Sequence, residues 1–155
     1  MTASYTFRCE QWVPRPLEEV FTFFSAAANL GELTPTWLGF QILSPLPIYM
    51  AEGTRIKYRL NLHGLPLKWT TEIRRWDPPF RFVDVQLSGP YQLWHHTHRF
   101  EAHAGGTRII DVVRYRIPLG IIGRIAHALK VRGDVERIFA YRVERVNELF
   151  TTPGA

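Results

Sequence analysis

Trp94-His95-His96-Thr97-His98-Arg99-Phe100 is the stretch on which the reading of this chain turns. It alternates with the period of two of a β-strand. Trp94, His96, His98 and Phe100 therefore share one face, and His95, Thr97 and Arg99 the other. Two imidazoles between two large aromatics exceed what an apolar core needs, and buried imidazoles must find hydrogen-bond partners or lose stability. The following residues supply one. His103-Ala104-Gly105-Gly106 reads as a turn, and Thr107 to Arg116 as the returning strand. A four-residue loop puts Ile109, Asp111, Val113 and Tyr115 on the histidine face, with Asp111 opposite His98. That face is then either the lining of a polar-spotted pocket or a satisfied structural network.

Outward from this hairpin the chain reads as a meander. Tyr5 to Val13 alternates and is stopped by Pro14 and Pro16; Pro16 also suits the first turn of a helix, with Glu18 and Glu19 at its positive end. Val20, Phe21, Phe23 and Phe24 give that helix its buried side, and Ala26 to Leu33 forms a second short helix ended by Thr34-Pro35. Gly39 to Leu43 is a short strand and Ser44 to Gly53 a loop, a surface connection or a mouth of the pocket. Thr54 to Leu62 turns inward Ile56, Tyr58 and Leu60. After a turn at His63-Gly64-Leu65-Pro66, Leu67 to Trp76 turns inward Trp69, Thr71 and Ile73. Asp77-Pro78-Pro79 turns the chain into the strand Phe80 to Leu87. Its pattern admits two faces inward: Phe82, Asp84 and Gln86, which we prefer, or Val83, Val85 and Leu87. Ser88-Gly89-Pro90 leads to the histidine strand.

Pro118-Leu119-Gly120 closes the strand region, and from Ile121 to about Phe150 the period changes to 3.6. Ile125, Leu129, Val135, Ile138, Phe139, Val143, Val146 and Phe150 mark the apolar side of one long helix, Gly133-Asp134 is a site for a kink, and Arg137, Arg142 and Arg145 fall on the solvated side. Gly120-Ile121-Ile122-Gly123 is an ordinary turn into the helix or a pliable portal. The order of strand, two short helices, about six antiparallel strands and one long helix predicts an α+β fold whose apolar sheet face the helix covers.

Composition narrows the function classes. The 155 residues suit one domain with a proper core, and 46% hydrophobic content with five Trp, six Tyr and ten Phe excludes disorder. The net charge of +5 is dispersed, without a run of like charges, which argues against nucleic acid as partner. A single cysteine, Cys9, forbids an intrachain disulfide, and no apolar run approaches the roughly 20 residues of a membrane span. Without a visible N-terminal signal, the expectation is a cytoplasmic protein.

The element order resembles the helix-grip fold of the START/Bet v 1-like superfamily, also called SRPBCC or polyketide cyclase-like, over essentially the whole chain. Gln11-Trp12-Val13-Pro14, Thr36-Trp37-Leu38-Gly39-Phe40, Gly53-Thr54-Arg55-Ile56, Gly89-Pro90-Tyr91, Trp94 to Phe100 and Gly105-Gly106-Thr107 look like the bacterial ligand-binding SRPBCC proteins. The resemblance implies a curved antiparallel sheet of about seven strands wrapped on the C-terminal helix, with a cavity between them. The superfamily spans carriers, receptors, cyclases and oxygenases, so it implies a pocket and leaves the reaction open.

Function is then sought on the inner face. Tyr58, Trp69, Phe82, Trp94 and Phe100 are candidate apolar walls, and Asp84, Gln86, His96, His98, Asp111 and Tyr115 the polar groups that orient a small hydrophobic or aromatic ligand such as a lipid, polyketide or quinone. A cyclase or dehydratase would use His98 and Asp111 as a general base, with Tyr115 or Tyr58 polarising a carbonyl. His96, His98 and Asp111 also have the chemistry of a zinc site, although no metal or other cofactor is expected. A protein- or membrane-interaction module is the remaining alternative, and the oligomeric state is open.

Overall fold

Alternation in the sequence is realised as seven antiparallel strands. The computed structural model describes residues 4–151. β1 (Ser4–Val13) is followed by α1 (Leu17–Ser25), a 3₁₀ turn (Ala27–Asn29), α2 (Leu30–Leu33) and a second 3₁₀ turn (Thr36–Leu38). Then come β2 (Gln41–Ile42), β3 (Arg55–Leu62), β4 (Leu65–Asp77), β5 (Arg81–Ser88), β6 (Leu93–His103) and β7 (Gly106–Arg116). The sheet order is β1-β7-β6-β5-β4-β3-β2, so the meander is closed on one side by the first strand pairing with the last. The chain ends in α3 (Gly120–Ala126), a π-helical turn (His127–Val131) and α4 (Arg132–Thr151), which run on without a break.

Two hairpins rest on two-residue turns in which both residues are left-handed: His63 and Gly64 (φ 51° and 79°), and Ala104 and Gly105 (φ 50° and 78°). This type I′ geometry matches the right-handed twist of the flanking strands. Both turns are shorter than the sequence suggested, and His103 and Gly106 pair with each other at the ends of β6 and β7. Leu65 and Pro66 belong to β4, where Pro66 sits opposite Asn61, before the pairing with β5 begins at Thr70, a place that tolerates a missing N–H. The second turn fixes β6 against β7 with His98 opposite Asp111, the register expected.

Two apolar clusters fill the interior. One joins α1, the sheet and the end of α4 through Phe21, Phe24, Phe82, Phe100, Val146 and Phe150. The other joins β7 to the start of α4 through Val113, Tyr115, Val135 and Phe139. The histidines of β6 lie between them: His98 stacks on Phe82 of the first cluster, with centroids 4.0 Å apart, and His96 meets Phe139 of the second at 5.5 Å.

The long helix departs from expectation in its first third. Gly123 and His127 are buried and Val131 half-buried, whereas Ile125 and Leu129, assigned to the apolar side by their spacing, face outward. Residues four apart share a helix face, and the face that docks here is the one bearing Gly123, where any Cβ would collide with the Pro118 carbonyl oxygen.

Ala104 is the one non-glycine residue of its turn held at φ 50°, a conformation that Asn adopts at lower cost. Ala104→Asn is expected to stabilise the fold by about 0.5–1 kcal/mol, a Tm rise of roughly 1–4 °C in a chain of this size. An unchanged or lowered Tm in a thermal melt would remove the left-handed assignment.

Candidate functional site

Register and sheet twist together build the site. Across β5, β6 and β7 the inner face carries Phe82 beside His98 beside Asp111, and Asp84 beside His96 beside Val113. The hydrogen bonds run diagonally across these rows. His98 Nε2–H donates to Asp84 Oδ2 at 2.5 Å, and His96 Nε2–H donates to Asp111 Oδ1 at 2.7 Å. Diagonal neighbours on adjacent strands are within reach of long side chains. The lateral approaches are longer, 3.8 Å from His96 Nδ1 to Asp84 and 3.5 Å from His98 Nδ1 to Asp111. The two imidazoles stack at 3.6 Å between their centroids, so the four side chains form one crossed network. The sequence placed Asp111 opposite His98 correctly, but the carboxylate that holds His98 is Asp84.

A fifth member comes from the helix and was misassigned from sequence. Arg142 is only 14% exposed, and its guanidinium lies 3.8 Å from Asp111 and 5.2 Å and 5.9 Å from the ring centroids of Phe24 and Phe139. The signal was present: Val135, Phe139, Arg142, Val146 and Phe150 follow one another at four-, three-, four- and four-residue steps, a single helix stripe. An arginine on that stripe points at the sheet. Arg145 pairs with Glu32 at 2.6 Å and Arg137 with Asp134, closer to the solvated role expected.

The network faces a cavity of about 180 Å³ between sheet and helix. Of the predicted wall residues, Tyr58, Trp69, Phe82, Asp84, Trp94, His96 and His98 line it, which settles the inward face of β5 as the one bearing Phe82 and Asp84. Phe24, Leu38, Phe40, Met50, Ile56, Phe139 and Arg142 complete much of the wall. Met50 comes from the Ser44-to-Gly53 loop, which therefore does reach the cavity, while Trp37 is exposed against Tyr141.

Four predicted residues do not line it. Gln86 bonds the Tyr91 backbone through both ends of its amide, at 2.7 Å and 3.1 Å, and serves the β5–β6 turn. Phe100 is packed edge-on against Phe21 and Phe24 in the core. Asp111 sits behind the histidines. Tyr115 hydrogen-bonds His127 at 2.7 Å, away from the cavity, and is not placed to polarise a ligand carbonyl.

The same geometry revises the metal-ligating set. Asp84, His96 and His98 each offer one ligand atom, all within 4.8 Å of one another. Asp84 takes the place given to Asp111, which instead accepts the Nε2–H of His96. That is the role of a carboxylate that orients a ligating imidazole rather than binds the ion.

Charge in the network is set by burial and by Arg142. Burial pushes the His98 imidazole down to about 4, the neighbouring His96 imidazole acts in the same direction, and the opposing pull of Asp84 is the weaker influence. Burial would raise Asp111, but Arg142 and the His96 N–H outweigh it and hold the carboxyl well below its usual range. Asp84 is lowered in the same way, its burial outweighed by the bond from His98. Cys9, with Sγ 4.0 Å from Asp111, is pushed up to about 12 by burial and by that carboxylate, and stays a protonated thiol. It is no nucleophile.

These shifts make the fold acid-sensitive with a defined sign. Between about pH 6.5 and 4 the unfolded His98 binds a proton that the folded one refuses, so stability falls as pH drops through that window, by about 3 kcal/mol in full. His127, lowered by burial, adds in the same direction. The depressed carboxylates Asp84 and Asp111 contribute stability that is lost only at still lower pH. Denaturant midpoints measured from pH 7 to 4.5 are expected to decline for the wild type and to lose the larger part of that decline in His98→Gln. A flat wild-type profile would contradict a neutral buried His98.

Comparison with known proteins agrees with this architecture. The chain is similar in structure to protein CV1439 from Chromobacterium violaceum (14% identity, 96% of this chain and 99% of that one, TM-score 0.74). It is also similar to TTHA0849 from Thermus thermophilus (24%, 94% and 99%, TM-score 0.65), and to major latex-like protein 151 from Panax ginseng (8%, 96% and 99%, TM-score 0.70). At these identities the likeness establishes the fold, the helix-grip arrangement of the Bet v 1-like proteins. No curated protein sequence matches the chain. The family model for polyketide cyclase / dehydrase and lipid transport proteins matches residues 13–139, and with the sheet, the gripping helix and the cavity between them in place, the chain belongs to that family.

Proposed function

We propose that this protein binds a compact, ring-sized hydrophobic molecule in the cavity between sheet and helix, with an oxygen acceptor of that molecule held at the wall bearing Asp84, His96, His98 and Arg142. The observation that carries this reading is a mainly apolar cavity with Asp84, His96, His98 and Arg142 gathered on one wall and Asp134 apart from them, a composition that suits a small-molecule site. Volume narrows the ligand. An apolar cavity of roughly 150 Å³ holds benzene, and drug-sized ligands occupy roughly 300–1,000 Å³. The 180 Å³ here supports one ring with a short substituent ahead of a sterol or a long acyl chain.

Polarity narrows it further. Trp69 Nε1–H and Arg142 Nε–H are buried donors with no protein acceptor, on two residues that line the cavity. A buried unpaired donor costs about 1–3 kcal/mol, which an incoming carbonyl or phenol oxygen recovers.

Binding is favoured over base catalysis by the state of His98. A general base works best with a pKa near the operating pH, whereas His98 is depressed to about 4. Its Nε2–H is committed to Asp84, and its other nitrogen is buried. A His–Asp base for a cyclase or dehydratase therefore falls second.

Acetophenone and ethylbenzene are matched in size and differ by one carbonyl, so calorimetric titration of each isolates the acceptor. The expected result is about tenfold tighter binding of acetophenone, the worth of one net hydrogen bond. Trp69→Phe, which removes one of the two unpaired donors and leaves the charged network intact, is expected to narrow that gap while still binding ethylbenzene. No binding of either ring, or equal affinity in the wild type, would defeat the proposal.

A further inference from the structure

The first third of the C-terminal helix is apolar on the side that faces away from the protein. Leu119, Ile121, Ile122, Ile125 and Leu129 are 73%, 73%, 68%, 55% and 81% exposed. The opposite side is firmly docked. Gly123 lies against Pro118, and His127 bonds Tyr115 and stacks on Tyr5 with centroids 3.4 Å apart. At 3.6 residues per turn, Ile121, Ile122, Ile125 and Leu129 fall within an arc of about 100°. The segment is therefore a surface helix with aliphatic side chains outward, and none of those residues lines the cavity.

Charge identifies the partner. From Val112 to Gly133 the sequence contains Arg114, Arg116, Arg124, Lys130 and Arg132 and no Asp or Glu. Arg132 pairs with Glu136, but among the described residues Arg114, Arg124 and Lys130 take part in no ion pair. On the helix, Arg124 and Lys130 fall on either side of the aliphatic arc. An aliphatic strip edged by unpaired cations matches the boundary of an anionic bilayer, with acyl chains beneath and acidic headgroups at the edges. A second copy of the chain meeting this face by two-fold symmetry would instead bring Arg124 and Lys130 against their own kind.

We propose that residues 119–130 form a membrane-docking face that seats the protein on anionic lipid surfaces by its Ile and Leu side chains, with Arg124 and Lys130 contacting the headgroups. This face is independent of the cavity proposal and stands or falls apart from it.

The test is sedimentation with vesicles of pure phosphatidylcholine and of phosphatidylcholine with 30% phosphatidylglycerol, at low and high salt. The wild type is expected to bind the anionic vesicles at least tenfold more strongly than the neutral ones, and to weaken with salt as charge contacts are screened. Ile121→Asn/Ile125→Asn/Leu129→Asn alters only exposed side chains and is expected to lose binding to both vesicles with an unchanged Tm. Arg124→Glu/Lys130→Glu is expected to abolish the preference for anionic lipid. Failure of the wild type to bind anionic vesicles overturns the proposal. So does a wild-type dimer in analytical ultracentrifugation that the Asn variant makes monomeric, which would assign the face to self-association.

Discussion

The interior of this protein is organised by a crossed pair of hydrogen bonds, His98 to Asp84 and His96 to Asp111, laid across three strands and capped by Arg142 from the helix. Every surrounding element answers to it. The strand register sets the rows, the twist makes the diagonals short, and Phe82 and Phe139 clamp the stacked imidazoles from the two apolar clusters. Two buried carboxylates are costly unless cations and hydrogen bonds accompany them. The layer therefore depends on Arg142, and the helix that grips the sheet is also the element that balances its charge.

Arg142 also bounds the cavity. Its side chain reaches from α4 to within 3.8 Å of Asp111, with Phe139 and Val146 buried on either side of it along the helix stripe. The space that stays open is bounded on one side by the network and elsewhere mainly by aromatic and aliphatic side chains. A core of the same elements with an apolar residue at position 142 would leave Asp111 buried beside His96 without its cation. Replacing one partner of a buried charge pair in that way is among the most destabilising changes a core can suffer.

Much of this was legible in the sequence, because strands and helices impose periods. Alternation from Trp94 to Phe100 and from Thr107 to Arg116, joined by a turn containing Gly105, sets His98 against Asp111 without any coordinates. What alternation cannot convey is the diagonal. Twist decides whether a side chain bonds its direct neighbour or the one two residues on, so Asp84 and Asp111 each belong to the imidazole that was not opposite them. Arg142 was lost for another reason. Residue type was allowed to outweigh position, although its spacing from Phe139 and Val146 placed it on the buried stripe. Tyr115 and Gln86 share the predicted face but are claimed by His127 and the Tyr91 backbone, contacts that arise between elements far apart in the chain or at a turn.

The outward-facing apolar helix segment follows from the same competition. Helical periodicity marks two possible faces between Gly120 and Val131: Ile121, Ile125 and Leu129, or Gly123, His127 and Val131. Hydrophobicity favours the first for burial. The structure buries the second, because glycine permits close approach at Pro118 and His127 completes the hydrogen bond of the buried Tyr115 hydroxyl. The π-helical turn across His127–Val131 adds a residue to that turn before α4 begins, so the stripe through Val135, Phe139 and Arg142 takes up its own phase against the network. One helix thus carries two faces of different purpose. Its latter part closes a cavity inside the protein, and its first part leaves a row of aliphatic side chains outside, where only a partner of matching chemistry removes them from water.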